Sequence, residues 1–435
     1  MEISDIQREL KGQPILVYDI ETATPMGKPT PSKDILRVFG AYSYLKDRTV
    51  VMTNKDEIRK FITGHKFFVG FNHMGYDNIV MHNCGFNDLI NLNERGNQIS
   101  GRFVKSYDID LMRILHPKHQ RRAGAMKIDK GNLGDLLMSF GLDNVTKVLG
   151  LVDDDDGKIQ DFDYKIFNKP KWTKEESLKI IKYAKRDVEI TKKLYEWMEK
   201  YFWSFRSYLN QKDIYGKKYL TSTIAVYAYK VICNRLGIKE EYESGKKGIN
   251  FDGGYVALPT GESFEGNIIL LDFSSLYPNL FIMANLHGHN CTCCSQEEKW
   301  HGDGFFKVEG YYCRKKLSPL SQLFKTMFLE RKEMKKIKDP REYVLKICLN
   351  SSYGAISNPV FKNIYSHISA SDCTSLGQQF ILYARKRFRE EGYENIFSDT
   401  DSIGIKIPEG KTKQDAQDLA EIITKELLSH LPFPW

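Results

Sequence analysis

The chain has 435 residues, enough for two or three domains, and 41% of them are apolar, so a sizeable core is expected. Its 64 Lys and Arg against 56 Asp and Glu leave a net charge of +8, which suits a polyanionic partner without demanding one. No apolar run approaches the roughly 20 residues that cross a bilayer, and the start Met-Glu-Ile-Ser-Asp lacks a charged-then-apolar pattern, so no secretion signal is expected. Eight cysteines in so long a chain do not read as a disulfide framework, and a reduced, cytoplasmic setting with no membrane contact is expected.

Residues 1–205 alternate short apolar strands with helical patterns, an α/β signature. The run 14–18 reads as a buried strand ending at Asp19, and the run 67–71 as another ending at Asn72. The acidic stretch 153–156, with Gly157, reads as a solvated loop. A helix opens at Thr173 with Glu176 three residues on, a capping box, and carries Leu178, Ile181, Ala184, Val188 and Leu194 as an apolar stripe.

After a Gly253-Gly254 joint, strand 268–271 delivers Asp272. Two helices then form a hairpin. The first opens at Ser318-Pro319 and runs through Lys338; the second opens at Asp339-Pro340 and runs to about Tyr353, where Gly354 is expected to stop it. Segments 395–397 and 403–407 read as strands flanking the turn Asp399-Thr400-Asp401, and a last helix spans about 412–428.

The acids fall into two groups. Asp19 and Glu21 stand two apart on a strand and point to one side; Asp77 follows the next strand; Tyr183 and Asp187, four apart, share one helix face. Four acids gathered this way hold two divalent cations that clamp the attacking and leaving oxygens of a phosphoryl displacement, with Tyr183 orienting the attacking water. Any one of these pieces alone would be a surface turn. In the second group Asp272 ends a strand and Tyr277 follows five residues later, bulky enough to exclude a 2′-hydroxyl beneath an incoming sugar. Ser274, Ser275 and Leu276 offer backbone N–H groups to phosphates. Lys346, Asn350 and Tyr353 lie along one helix face, and Arg331 and Lys335 along another, as a phosphate clamp; Arg331 and Lys335 by themselves would read as a solvated basic face. Asp399 and Asp401 place further acids opposite Asp272.

Taken in order, these segments resemble the family B DNA polymerases over about residues 13–410. Asp19-x-Glu21, Asn72 with Tyr76-Asp77, and Tyr183-x-x-x-Asp187 match that family's proofreading motifs. Asp272 to Pro278, Lys346 to Gly354 and Asp399-Thr400-Asp401 match its polymerase motifs. The resemblance implies an α/β and α+β multidomain fold. A DnaQ-type, RNase H-like exonuclease would occupy 1–205, the palm 206–316 and 355–435, and a two-helix fingers hairpin 317–354. It implies Mg²⁺ at Asp19, Glu21, Asp77 and Asp187 and again at Asp272 and Asp401, with Asp399 in support and Mn²⁺ as a substitute. It also implies DNA contacts at Asn72, Gly253 and Gly254, the last two preceded by Phe251 where the family often has Tyr. Primer-template DNA, single-stranded DNA and dNTPs would be the partners, and an ordinary 3′-hydroxyl the primer.

Two departures stand out. Phe397-Ser398 replaces the family's Tyr before the acidic turn. The thumb segment is not evident: a second polypeptide that supplies it, a shortened chain, and a compact form with a weak grip on duplex DNA are the alternatives, a sliding clamp is a further candidate partner, and under the split reading the chain alone is expected to extend primers poorly or distributively. The rival readings are an exonuclease whose polymerase half only binds DNA, and a non-catalytic scaffold; both conflict with the retained Asp272, Lys346 and Asp401. Finally, Cys291, Cys293, Cys294, His301 and Cys313 form a dense loop cluster within 287–313 that suits tetrahedral Zn²⁺, with reduced loop cysteines as the alternative.

Overall fold

The computed structural model describes all residues except 1, 96–97, 116–126, 129–130, 133–135, 137–138, 140, 154–161, 208, 210–222, 244, 246–247, 251, 258–265 and 340. Phe251, Pro340 and most of the acidic stretch at 153–156 therefore lie outside the described residues; Asp153 is exposed. The chain divides into two compact units, Met1–Thr223 and Ile224–Trp435.

In the first unit a helix, α1 (Ile3–Leu10), leads into β1 (Ile15–Ala23), β2 (Ile35–Ser43), β3 (Arg48–Met52), α2 (Lys55–Ile62) and β4 (Phe67–Gly70). A short helix α3 (Asp77–Met81), the hairpin β5 (Ile90–Arg95) and β6 (Gln98–Phe103), β7 (Tyr107–Asp110) and α4 (Leu111–Leu115) follow. The sheet order is β3-β2-β1-β4-β7, antiparallel on the β2 side of β1 and parallel on the β4 side. β1 runs four residues past Asp19, because its antiparallel partner β2 continues to pair through Ala23↔Ile35 across a bulge at Glu21/Thr22. Asp19 is thus mid-strand rather than terminal, which keeps Asp19 and Glu21 on one pleated face.

The long helix α5 (Lys174–Tyr201) packs across β1 and β2. Thr173 and Glu176 close the expected reciprocal cap: Thr173 Oγ1 accepts from Glu176 N at 3.1 Å and Glu176 accepts from Thr173 N at 2.8 Å. The buried stripe is Ile180, Tyr183, Asp187, Ile190 and Leu194, flanked by Ala184 and Val188. Leu178 and Ile181 are 61% and 37% exposed, a correction to the expected stripe. Leu178 lies about 200° round the helix from Ile180, and so faces away from the sheet. Gly40 on β2 permits the close approach: a Cβ there would lie 3.0 Å from Val188 Cγ2 and 3.2 Å from the Ala184 carbonyl.

In the second unit the order is α6 (Ile224–Leu236), β8 (Val256–Ala257), β9 (Ile268–Asp272), α7 (Leu276–Met283), β10 (Trp300–Gly302) and β11 (Lys307–Tyr312). Then come α8 (Pro319–Lys336), α9 (Arg341–Ile356), α10 (His367–Glu390), β12 (Glu394–Asp399), β13 (Ser402–Lys406) and α11 (Lys413–Ser429). β8-β12-β13-β9 make one sheet with every pair antiparallel. Phe281, Phe324, Met327, Val344, Cys348, Leu376 and Phe380 are among the side chains buried in its helices. Ser318 caps α8, accepting from Ser321 N at 3.1 Å. Gly354 does not end α9; the helix runs on through buried Ala355 and Ile356. A terminating glycine adopts a left-handed conformation, and Gly354 has none.

Candidate active sites

Residues Asp19, Glu21 and Asp187 each offer a carboxylate oxygen within 4.8 Å of the other two. The strand pleat supplies the first two and the helix face the third. Asp77 is not part of that triangle, but its Oδ1 accepts from the N–H of Ile20, between the two strand acids, at 3.1 Å. Burial lifts the Asp77 carboxyl to about 6, with the nearby His73 charge opposing. Tyr183, fully buried, has its hydroxyl pushed far above the ordinary value by burial, with the Asp187 and Glu21 charges adding to it. Its Oη lies 3.1 Å from that of Tyr164, and Phe162 packs on its ring at 4.2 Å.

Sequence reasoning missed the support beneath these acids. Asp110 on β7 accepts from Asn72 N at 2.9 Å and Met74 N at 3.2 Å, holding the turn between β4 and α3. Asp108, one pleat back, accepts from Asn78 Nδ2 and Phe103 N, both at 3.0 Å, and lies 3.2 Å from His73 Nε2. Asn72 is left-handed at φ 61°, a conformation that Asn tolerates better than most residues. The only signal in the sequence was an Asp-x-Asp at a strand, which by itself is uninformative.

In the second unit Asp272 ends β9 directly opposite Ser402, and Asp399 ends β12 opposite the same residue. The turn between them is pinned: Phe273 N donates to Asp401 O at 2.8 Å, and Thr400, at φ 56°, donates its N–H to Tyr255 O at 2.8 Å. The Asp401 carboxyl is raised by burial and then by the charges of Asp272 and Asp399, so the three acids share one locality. Ser275 stands at the N-cap position of α7 in a left-handed conformation, φ 50°, without a side-chain cap bond, with Ser274 exposed before it and Leu276 buried after it.

The Tyr277 ring lies 4.8 Å from that of Tyr353. A Cβ on Gly254 would fall 3.0 Å from the Tyr277 hydroxyl, and one on Gly377 3.0 Å from its ring, so both glycines make room for this side chain. Gly253 accepts from Gln378 Nε2 at 2.6 Å. Arg331 on α8 donates from Nε to Glu342 on α9 at 2.8 Å and from Nη1 to Ser275 Oγ at 3.3 Å, tying the hairpin to the Asp272 loop. Lys335, Lys346 and Asn350 are exposed. A cavity of about 290 Å³ opens beside Asp272, walled by Phe273, Phe328, Phe380 and Trp435 with Lys332 at its rim.

The cysteine cluster forms without His301. Sulfurs of Cys291, Cys293, Cys294 and Cys313 all lie within 4.8 Å of one another, whereas the His301 ring packs on Tyr311 at 4.9 Å. That is a correction to the expected ligand set: His301 sits on β10, at the irregularity between Trp300 and Gly302, with its exposed ring against Tyr311 rather than among the sulfurs.

Residues 224–433 match the profile of DNA polymerase family B. A DNA polymerase of Archaeoglobus fulgidus is 26% identical over 95% of this chain and 52% of its own length. The DNA polymerase delta catalytic subunit of Dictyostelium discoideum is 30% identical over 42% of this chain and 19% of its own, and a fowlpox virus DNA polymerase 27% identical over 33% and 18%. The chain thus spans about half the length of the archaeal relative. The family B DNA polymerase of Pyrobaculum calidifontis superposes with a TM-score of 0.58 at 17% identity, over 94% of this chain and 55% of that one, a likeness of multidomain α/β fold. Among the described residues no helix is long and apolar enough to cross a membrane. The match to DNA polymerase family B thus falls within the second compact unit, Ile224–Trp435, and the relatives named above are all DNA polymerases.

Proposed function

We propose that the chain performs template-directed DNA synthesis from dNTPs on a primer 3′-hydroxyl at the Asp272/Asp401 site and removes 3′-terminal nucleotides at the Asp19/Glu21/Asp187 site. The observation that carries this reading is the presence of two separate carboxylate gatherings, one in each compact unit. Both offer only hard oxygen donors, which fit Mg²⁺ or its substitute Mn²⁺ rather than a soft metal. Bound in pairs, such ions would polarise the reacting phosphate and clamp the attacking and leaving oxygens.

At the first site Asp19, Glu21 and Asp187 would hold the cations, with Asp77 set against the β1 backbone beside them. The Tyr183 hydroxyl, kept protonated by its burial, donates toward an incoming water and orients it for in-line attack. At the second site Asp272 and Asp401 would hold the cations, with Asp399 supporting the turn. N–H groups at the start of α7 meet the triphosphate, where the helix N-terminus favours anions. Lys335, Lys346 and Asn350 approach from the hairpin, and Arg331 braces Ser275. Tyr277, wedged by Tyr353, Gly254 and Gly377, floors the sugar pocket against a 2′-hydroxyl. Asn72, Gly253 and Gly254 contact the DNA strand.

A 5′-labelled primer on a longer template tests both activities at once. With Mg²⁺ and dNTPs the purified chain is expected to lengthen the primer; with Mg²⁺ alone it is expected to shorten it from the 3′ end. EDTA is expected to stop both. Shortening that persisted in EDTA, or a primer left unchanged in every condition, would contradict the reading.

A further inference from the structure

Apart from the carboxylate sites, the segment between α7 and α8 gathers four thiols at one point. The Cys293 sulfur lies 3.3 Å from that of Cys313 and 3.9 Å from that of Cys294, and Cys294 lies 3.5 Å from Cys313. Cys291 completes the set within 4.8 Å. Four thiolates on a tetrahedral Zn²⁺, at about 2.3 Å each, stand about 3.8 Å apart, and the three spacings, 3.3 to 3.9 Å, run from that value to about half an ångström below it. A disulfide would need about 2.05 Å, and adjacent Cys293 and Cys294 are poorly placed to bridge each other. The Lys316 N–H also points at the Cys313 sulfur, at 3.4 Å, the kind of amide contact that stabilises a thiolate.

The surroundings say what such a metal would hold. Asn285, buried and left-handed at φ 52°, ends α7. Its Nδ2 donates to the carbonyls of Cys313 at 2.9 Å and Lys316 at 3.0 Å, and its Oδ1 accepts from Ser318 N, the cap of α8, at 2.8 Å. Cys313 N in turn donates to Gly288 O at 3.2 Å. The thiol cluster is therefore joined by hydrogen bonds to the end of α7, which begins at the Asp272 loop, and to the start of α8, which carries Arg331. Between them lies little regular structure except the short β10–β11 hairpin. Segments that small commonly rely on a metal or a crosslink for order.

We propose that Cys291, Cys293, Cys294 and Cys313 bind one structural Zn²⁺ that fixes the start of α8 against the end of α7. This stands independently of how the carboxylate sites are read. The test is metal analysis of the full chain, purified without chelator, as wild type and as Cys313→Ser, Cys293→Ser and, as a control in the other unit, Cys84→Ser. About one equivalent of Zn is expected in the wild type and Cys84→Ser, falling at least fivefold in the other two. Because a serine variant can fail for reasons of folding, the wild type is also titrated with a mercurial thiol reagent beside a zinc-sensitive dye. Release of its zinc is expected in step with blocking of four thiols, together with faster amide exchange across residues 285–288 and 313–321. Less than half an equivalent of Zn in the wild type overturns the proposal. So does iron in its place, undiminished zinc in Cys313→Ser, or release that leaves exchange in those segments unchanged.

Discussion

In the first unit the acids are sunk into the fold: Glu21, Asp77 and Asp187 are 8%, 5% and 2% exposed, and they come from a strand, the start of the short helix α3 and the long helix packed over the sheet. In the second unit Asp272 is exposed, and its companions sit on a tight turn beside it, held by main-chain bonds. The difference shows two ways of bringing like charges together. The buried set depends on tertiary packing, chiefly the approach of α5 to β1 and β2. The open set depends on the register of β9, β12 and β13, and leaves space for a large substrate. Damage to packing should therefore harm the first activity selectively, and changes around the Tyr277 wedge the second.

Among single substitutions the largest effect is expected at that wedge. Tyr277→Ala should lower discrimination against ribonucleotides about 10- to 100-fold, as read from kcat/KM for matched dNTP and rNTP pairs, since it removes steric exclusion in the range of 1–3 kcal/mol. Unchanged discrimination would mean that Tyr277 does not floor the sugar. Next comes the packing of α5. Gly40→Val should destabilise the first unit by about 1–3 kcal/mol through overpacking against Val188 and the Ala184 carbonyl. Strand degradation should fall with the denaturation midpoint while synthesis is retained; equal loss of both would erase the contrast.

A smaller effect is expected with pH. Burial, reinforced by the neighbouring His289 charge, holds the His287 imidazole in the second unit down to about 4 from an ordinary 6.5. The unfolded chain takes up this proton from about pH 6.5 downward, whereas the folded chain resists it until about pH 4. Above about 6.5 the imidazole is neutral in both states and has no effect, and a destabilising penalty builds as pH falls from about 6.5 toward 4. Urea midpoints measured from pH 7.5 to 4.5 should show His287→Gln losing less stability on acidification than the wild type. Parallel curves would remove His287 from the account.

Much of this was legible locally. The Thr173/Glu176 cap, the Ser318-Pro319 helix start and the acidic turn at 399–401 are written in neighbouring residues, and each formed as read. What could not be read depended on partners distant in sequence. The phase of α5 is set by the sheet beneath it, so Leu178 and Ile181 turned outward despite their apolarity. β1 extended past Asp19 because β2 offered it a partner. His301 was engaged by Tyr311 across a hairpin, leaving the cysteines to gather alone. Asp108 and Asp110 acquired their meaning only when β7 aligned beside β4 and brought them under the Asn72 turn.

The central claim, that separate acid sets run separate reactions, is tested most directly by two double variants in one primer assay. Asp19→Ala with Glu21→Ala is expected to abolish 3′ shortening, by at least about 1,000-fold for a site that loses its cations, and to leave extension intact. Asp272→Ala with Asp401→Ala is expected to abolish extension and leave shortening intact. Loss of both activities in either variant with its fold retained, or survival of both in either, would contradict the account.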